Sequence, residues 1–149
     1  MSRLPDKTVI VTGASRGIGR STALSLANEG AQVALLSRDQ AALEEVASEV
    51  TRAGGRALVF PVDFADSSSV PALASSLLAQ LESVHALVNN AGTFLEQDLA
   101  EMTDDELRHV LDVNLMAPFV LTRELLPALR KTRGQIINVV STSALQGYP

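Results

Sequence analysis

The sequence contains no cysteine, which excludes disulfides, thiol nucleophiles and cysteine–zinc sites and fits a reducing, cytoplasmic compartment. Basic residues are too few for a nucleic-acid binder: 12 Lys and Arg stand against 17 Asp and Glu, for a net charge of -5 and a pI near 4.9. Nucleic acid and anionic membrane both reward clustered Lys and Arg, so small molecules or protein remain as partners. No apolar run approaches the ~20 residues that span a bilayer, and Met1 to Lys7 has no apolar signal core. The two histidines, His85 and His109, have no second ligand at metal spacing, so no metal site is expected and both read as structural or exposed.

What is present is enough for one core. A chain of 149 residues, 46% of them hydrophobic, buries roughly 68–70% of its unfolded surface. Its organising stretch is the β-branched run Val9 to Thr12, which breaks into Gly13, Gly17 and Gly19 and then becomes helical. That reads as strand, tight turn and helix start, with the free N–H groups and positive dipole end of the first helical turn brought to one point suited to a phosphate. The spacing is Gly-x-x-x-Gly-x-Gly, and the Lys-Ser/Thr ending of a P-loop is absent, which speaks against an ATP or GTP cradle.

Downstream, helical spacing predicts a first helix over about 17–29, closed by Gly30, and a second opened by Asp39 with Leu43, Val46, Ala47 and Val50 on one face. The nearly all-apolar 31–36 reads as a parallel strand covered on both faces, and 57–62, 84–89 and 135–140 read as strands. Asp66 or Ser67 starts a third helix. Thr103 and Glu106 form a capping box that opens a fourth, with Leu107, Val110, Leu111 and Leu115 on one face and with Pro118 and Pro127 interrupting its continuation. Strands alternating with helices through short connections predict an α/β, Rossmann-type doubly wound parallel sheet of order 3-2-1-4-5. Ligands then sit beyond the carboxyl ends of strands one and four, where the order reverses; the glycine turn and Asn89-Asn90-Ala91-Gly92 both lie there.

Thr12-Gly13-Ala14-Ser15-Arg16-Gly17-Ile18-Gly19, Asp63, Asn89-Asn90-Ala91-Gly92, Asn114 and Ser141 stand in the order and approximate spacing of the short-chain dehydrogenases/reductases, and the chain resembles the N-terminal part of that family. The resemblance implies one NAD(P)-binding domain over 1–149, lacking the family's C-terminal strands and helices, and a homo-oligomer in the complete protein. It implies that Gly13, Ser15, Arg16, Gly17, Ile18 and Gly19 hold the pyrophosphate. Asp63 and Phe64 would meet the adenine and Asn90, Ala91 and Gly92 the ribose, while the Asn114 carbonyl would hold a relay water and Ser141 would orient a carbonyl substrate.

Each position also has a plainer reading. Thr12 and Asn89 can satisfy loop backbone, Asp63 can be a turn residue, and Asn114 can be an incidental polar residue beside a proline kink. Ser143 rivals Ser141 as the strand-end hydroxyl. At the end of strand two, where an NAD site places an acid on the ribose, stand Ser37 and Arg38. With Arg16, Arg38 can fork onto a 2′-phosphate, so NADP(H) is preferred over NAD(H); its plainer reading is a solvated surface charge. Tyr148, the only tyrosine, lies seven residues after Ser141 with no lysine following it, and is not assigned as the proton donor that the family places in a Tyr-x-x-x-Lys segment. Two functions stay open: an NADP(H)-dependent oxidoreductase acting on a carbonyl or alcohol, such as a 3-oxoacyl thioester, and a non-catalytic dinucleotide-binding or interaction module. The 149-residue chain by itself is expected to be inactive.

Overall fold

The structure is a computed structural model that describes residues 3–141. Five strands, β1 (Thr8–Thr12), β2 (Gln32–Ser37), β3 (Arg56–Pro61), β4 (Ala86–Asn89) and β5 (Gln135–Asn138), form one sheet of order β3-β2-β1-β4-β5. All four pairings are parallel, in a register that sets Val9 beside both Val33 and Ala86, and Leu87 beside Ile136. The expected fold class and strand order are both observed.

Because side chains alternate along a strand, β1 sends Val9 and Val11 to one face and Ile10 to the other. The first face packs on α1 (Gly17–Asn28) and α2 (Gln40–Arg52) through Ala23, Ala27, Leu43, Val46 and Val50. The second packs on α3 (Val70–Gln80) and α5 (Ala117–Thr132) through Leu77, Leu121 and Leu125. Two buried faces are the reason β1 and β2 read as unbroken apolar runs. Ile10 is fully buried at the centre, where truncation to alanine costs about 2–5 kcal/mol.

The predicted helix signals act as read. Asp39 Oδ1 accepts from Ala42 N–H at 3.0 Å, and Gly30, at φ 91, follows α1 with its N–H on the Ala27 carbonyl at 2.9 Å. The capping box opens α4 (Asp104–Leu111): Thr103 Oγ1 accepts from Glu106 N–H, and the Glu106 carboxylate accepts from Thr103 N–H at 2.8 Å. The bonds that Thr103 N–H and the Thr103 hydroxyl, each at 2.8 Å, donate to the Glu106 carboxylate lower its pKa.

One expectation is corrected beyond α4. Pro118 and Pro127 do not interrupt the helix. A π turn over Asp112–Met116 joins α4 to α5, and Pro127 sits inside α5 on its exposed side. In the π turn the Ala117 N–H reaches back five residues to the Asp112 carbonyl, so the helix passes Pro118 by widening one turn rather than stopping. The apolar face of α4 is also not core: Leu107, Leu111 and Leu115 are 46%, 44% and 58% exposed, and α4 buries no residue. The buried stripe begins at Val113 and continues through Ala117, Leu121, Leu125 and Leu129.

Candidate dinucleotide site

At the carboxyl ends of β1 and β4 the chain makes two tight loops that bond each other. Thr12 Oγ1, the last side chain of β1, accepts from both Asn90 N–H and Ala91 N–H at 2.9 Å and donates to the Val88 carbonyl at 3.3 Å. Asn90 Nδ2 returns the contact, donating to the Thr12 carbonyl at 2.9 Å and the Gly13 carbonyl at 3.3 Å. One buried hydroxyl therefore fixes the second loop against the first.

The glycines make this approach possible. Gly13 and Gly17 have φ +65 and +56, and a Cβ on Gly19 would overlap the Gly13 carbonyl and Asn90 Nδ2. Arg16, the N-cap of α1, is extended and makes no side-chain cap, and no acid stands in the first turn. The first amides of α1 and its positive dipole end are left for an anion.

In front of these loops lies a cavity of about 620 Å³, lined by Gly13, Ser15, Arg16, Gly17, Ile18, Ser37, Arg38, Asp63, Phe64, Asn90, Ala91 and Gly92, and by Asp39, Ala42, Thr93, His109 and Val113. Twelve of the thirteen residues expected to meet the cofactor line it; the thirteenth, Gly19, packs beneath it. Asp39 and Asp63 spend an oxygen each on the backbone N–H groups of Ala42 and Ala65, both at 3.0 Å. Arg16 and Arg38 are exposed and form no ion pair among the described residues, whereas Arg20 nearby is held by Glu49 at 2.6 Å. An uncapped helix start and two guanidiniums without a carboxylate partner among the described residues stand around one cavity, an arrangement that suits an anionic ligand.

The remaining expected residues are placed differently. Asn89 points away from the cavity: it is buried, and its Nδ2 donates to Asn138 Oδ1 at 2.9 Å and Thr122 Oγ1 at 3.2 Å. Asn114, in the π turn, binds the Thr93 backbone through its side chain and holds the cavity rim. Pro118 offers no N–H to the Asn114 carbonyl, as expected. Ser141 is exposed beyond the carboxyl end of β5, the same end of the sheet as the glycine turn, but does not line the cavity. Ser143 and Tyr148 lie outside the described residues.

Sequence reasoning set both histidines aside, and the structure separates them. His85 is structural, its Nδ1 accepting from Thr8 N–H at 3.1 Å near the amino end of the sheet, with burial and the Lys7 charge pushing its pKa down. His109 instead lines the cavity one helical turn before Val113. The available signal was that spacing of four, which puts both side chains on one helix face. Among the described residues no group of three His, Cys, Asp or Glu could hold a metal.

A doubly wound parallel sheet with a glycine turn at its switch point defines a dinucleotide-binding α/β protein. Residues 7–149 match the short chain dehydrogenase family, and the chain belongs to it. A ketoacyl reductase, HetN, from a Nostoc species is 36% identical over 148 residues, covering 99% of this chain and 52% of that protein. Among solved structures, a metagenomic short-chain oxidoreductase in complex with NADP superposes with a TM-score of 0.92 at 37% identity, over 97% of this chain and 66% of its own. A 7α-hydroxysteroid dehydrogenase complexed with NADH has the same TM-score at 30% identity, over 98% and 57%. The chain thus spans about half the length of the curated relative it matches.

Proposed function

We propose that this chain is the dinucleotide-binding part, over residues 1–149, of an NADP(H)-dependent oxidoreductase that transfers hydride between the nicotinamide cofactor and a carbonyl or alcohol substrate. The observation that carries this reading is the joint placement of the uncapped start of α1 with Arg16 and Arg38, neither engaged by a carboxylate among the described residues, around one cavity. When bound, the nicotinamide supplies or takes up the hydride. The first-turn amides of α1 would hold the pyrophosphate. Ser37, Arg38 and Arg16 would hold the 2′-phosphate, Asp63 and Phe64 would bound the adenine, and Asn90, Ala91 and Gly92 would close over a ribose.

Ser141 would orient the substrate carbonyl, and the Asn114 carbonyl, left without an α-helical donor by Pro118, would anchor a water for proton transfer. The names of relatives from a Synechocystis species and Staphylococcus epidermidis, both 3-oxoacyl-[acyl-carrier-protein] reductases, support a 3-oxoacyl thioester as one substrate class. Action in the cytoplasm on a small molecule, as a homo-oligomer of the whole protein, belongs to the same reading. A second reading, a dinucleotide-binding module without turnover, stays open for the 149 residues taken alone, which contain no Tyr-x-x-x-Lys segment to supply a proton donor. A positioned acid is typically worth 10²–10⁴-fold in rate.

Titrating the chain with NADPH and with NADH, monitored by nicotinamide fluorescence, tests the cofactor assignment: tighter NADPH binding is expected. Equal or tighter NADH binding overturns it. Following NADPH oxidation with ketones, in the chain and in a version extended through a Tyr-x-x-x-Lys segment, then separates the two readings.

A further inference from the structure

Between the carboxyl end of β4 and the π turn lies a crevice separate from the dinucleotide cavity, about 10 Å³, bounded among others by Asn89, Phe64, Val113 and Pro118. That is room for one water molecule. Two of its lining residues, Asn89 and Val113, carry an acceptor that lacks its usual donor. Asn89 is 7% exposed, its Nδ2 is committed to Asn138 and Thr122, and its Oδ1 is buried with no hydrogen-bond partner among the described residues. The Val113 carbonyl is passed over by the helix: its α-helical donor, the Ala117 N–H, goes to the Asp112 carbonyl, and its π-helical donor would be Pro118, which has no N–H.

We infer that this crevice is a binding site for a single buried water that donates one hydrogen bond to Asn89 Oδ1 and one to the Val113 carbonyl. Both acceptors are uncharged, so the site suits a neutral donor rather than a cation. Leaving a buried acceptor bare is costly, and a bridging water satisfies two at once. The water ties the end of β4 to the π turn, the turn that presents Asn114 to Thr93 at the cavity rim. This inference stands on the fold alone and is independent of the cofactor assignment.

A crystal structure of the chain at a resolution that orders solvent tests it, together with one of Pro118→Ala. In the parent, one solvent peak is expected at hydrogen-bond distance, about 2.7–3.2 Å, from both Asn89 Oδ1 and the Val113 oxygen. In Pro118→Ala the restored amide can reach the Asn114 carbonyl or the Val113 carbonyl, and where it bonds Val113 the peak is expected to be lost or displaced. An empty crevice in the parent, or Asn89 Oδ1 bonded to a protein donor, overturns the site. A peak unmoved in Pro118→Ala with the new amide bonded to the Val113 carbonyl overturns the assignment of that carbonyl as its second acceptor. Water–protein cross-relaxation in solution supplies a readout free of the lattice: a long-lived water signal at the Leu121 methyls, which line the crevice, is expected, and its absence overturns the site.

Discussion

Asn114 closes its side-chain amide on the backbone of Thr93 at both ends: Oδ1 accepts from the Thr93 N–H at 2.8 Å and Nδ2 donates to the Thr93 carbonyl at 2.9 Å. A residue of poor helix propensity thereby pins the loop after β4 against the π turn, in place of a strand partner. Asn114→Ala should remove both bonds, lowering stability by about 1–3 kcal/mol and loosening the Gly92–Thr93 rim. Thermal unfolding with and without NADPH checks this. An unchanged melting temperature and unchanged NADPH affinity would remove the clamp from the site.

Arg38 follows β2, at the position where an NAD site carries an acid. Loss of one charge-assisted contact of ~1.5–3 kcal/mol weakens binding by roughly ten- to a hundredfold. Arg38→Ala should therefore lose that much NADPH affinity while leaving NADH affinity unchanged. Equal NADPH affinity in the two proteins would return Arg38 to the role of a solvated charge.

Thr12→Val keeps the shape of a buried side chain but deletes the hydroxyl that accepts from Asn90 N–H and Ala91 N–H. Each donor left bare costs about 1–3 kcal/mol. The expected result is a lower urea midpoint at unchanged slope, with NADPH affinity falling as the Asn90 loop drifts from the glycine turn. Thr12→Ser should restore most of both, because the acceptor returns.

Much of this arrangement is legible in the sequence because it is local or rests on backbone constraint. Gly13, Gly17 and Gly19 announce the turn, and Asp39 and the Thr103–Glu106 pair announce their helices by chemistry acting over two or three residues. What escapes is tertiary. The stripe Leu107, Leu111, Leu115 looks like any core-facing stripe, since periodicity records an apolar face and says nothing of what covers it. His109 joins the cavity only because α4 and the π turn bring it back over the glycine loop. The π turn depends on where Pro118 falls relative to packed Val113 and Ala117, a compromise between core contacts and one missing N–H.

β5 carries a further expectation. It ends the sheet order, and no strand pairs with its other edge among the described residues. Ile136, Ile137 and Val139 are 39%, 41% and 41% exposed, and Val140 is 82% exposed. Unpaired apolar edges invite self-association. Light scattering of the 149-residue chain should show mass rising with concentration, and Val140→Lys should suppress the rise; a monomer at every concentration would contradict it.

His85 makes stability depend on pH near neutrality. Its Nδ1 accepts from the Thr8 N–H at 3.1 Å, with Ser83 Oγ at 3.5 Å, so the folded state needs the neutral ring. Burial, then the Lys7 charge, hold its pKa below the ordinary 6.5. Below pH 6.5 the unfolded chain binds the proton that the folded chain resists, so unfolding is favoured as pH falls. The His85 contribution is full above about pH 6.5 and is lost as the pH drops from there toward the lower folded-state pKa. Glu106, whose carboxyl is held low by the Thr103 bonds, loses its contribution only below 4.5, a separate window. Urea midpoints measured from pH 8 to pH 5 should therefore fall below pH 6.5 in the parent. In His85→Gln, which keeps an acceptor for Thr8 but does not titrate, that fall should flatten. An equal decline in both proteins would show that another group sets the pH response.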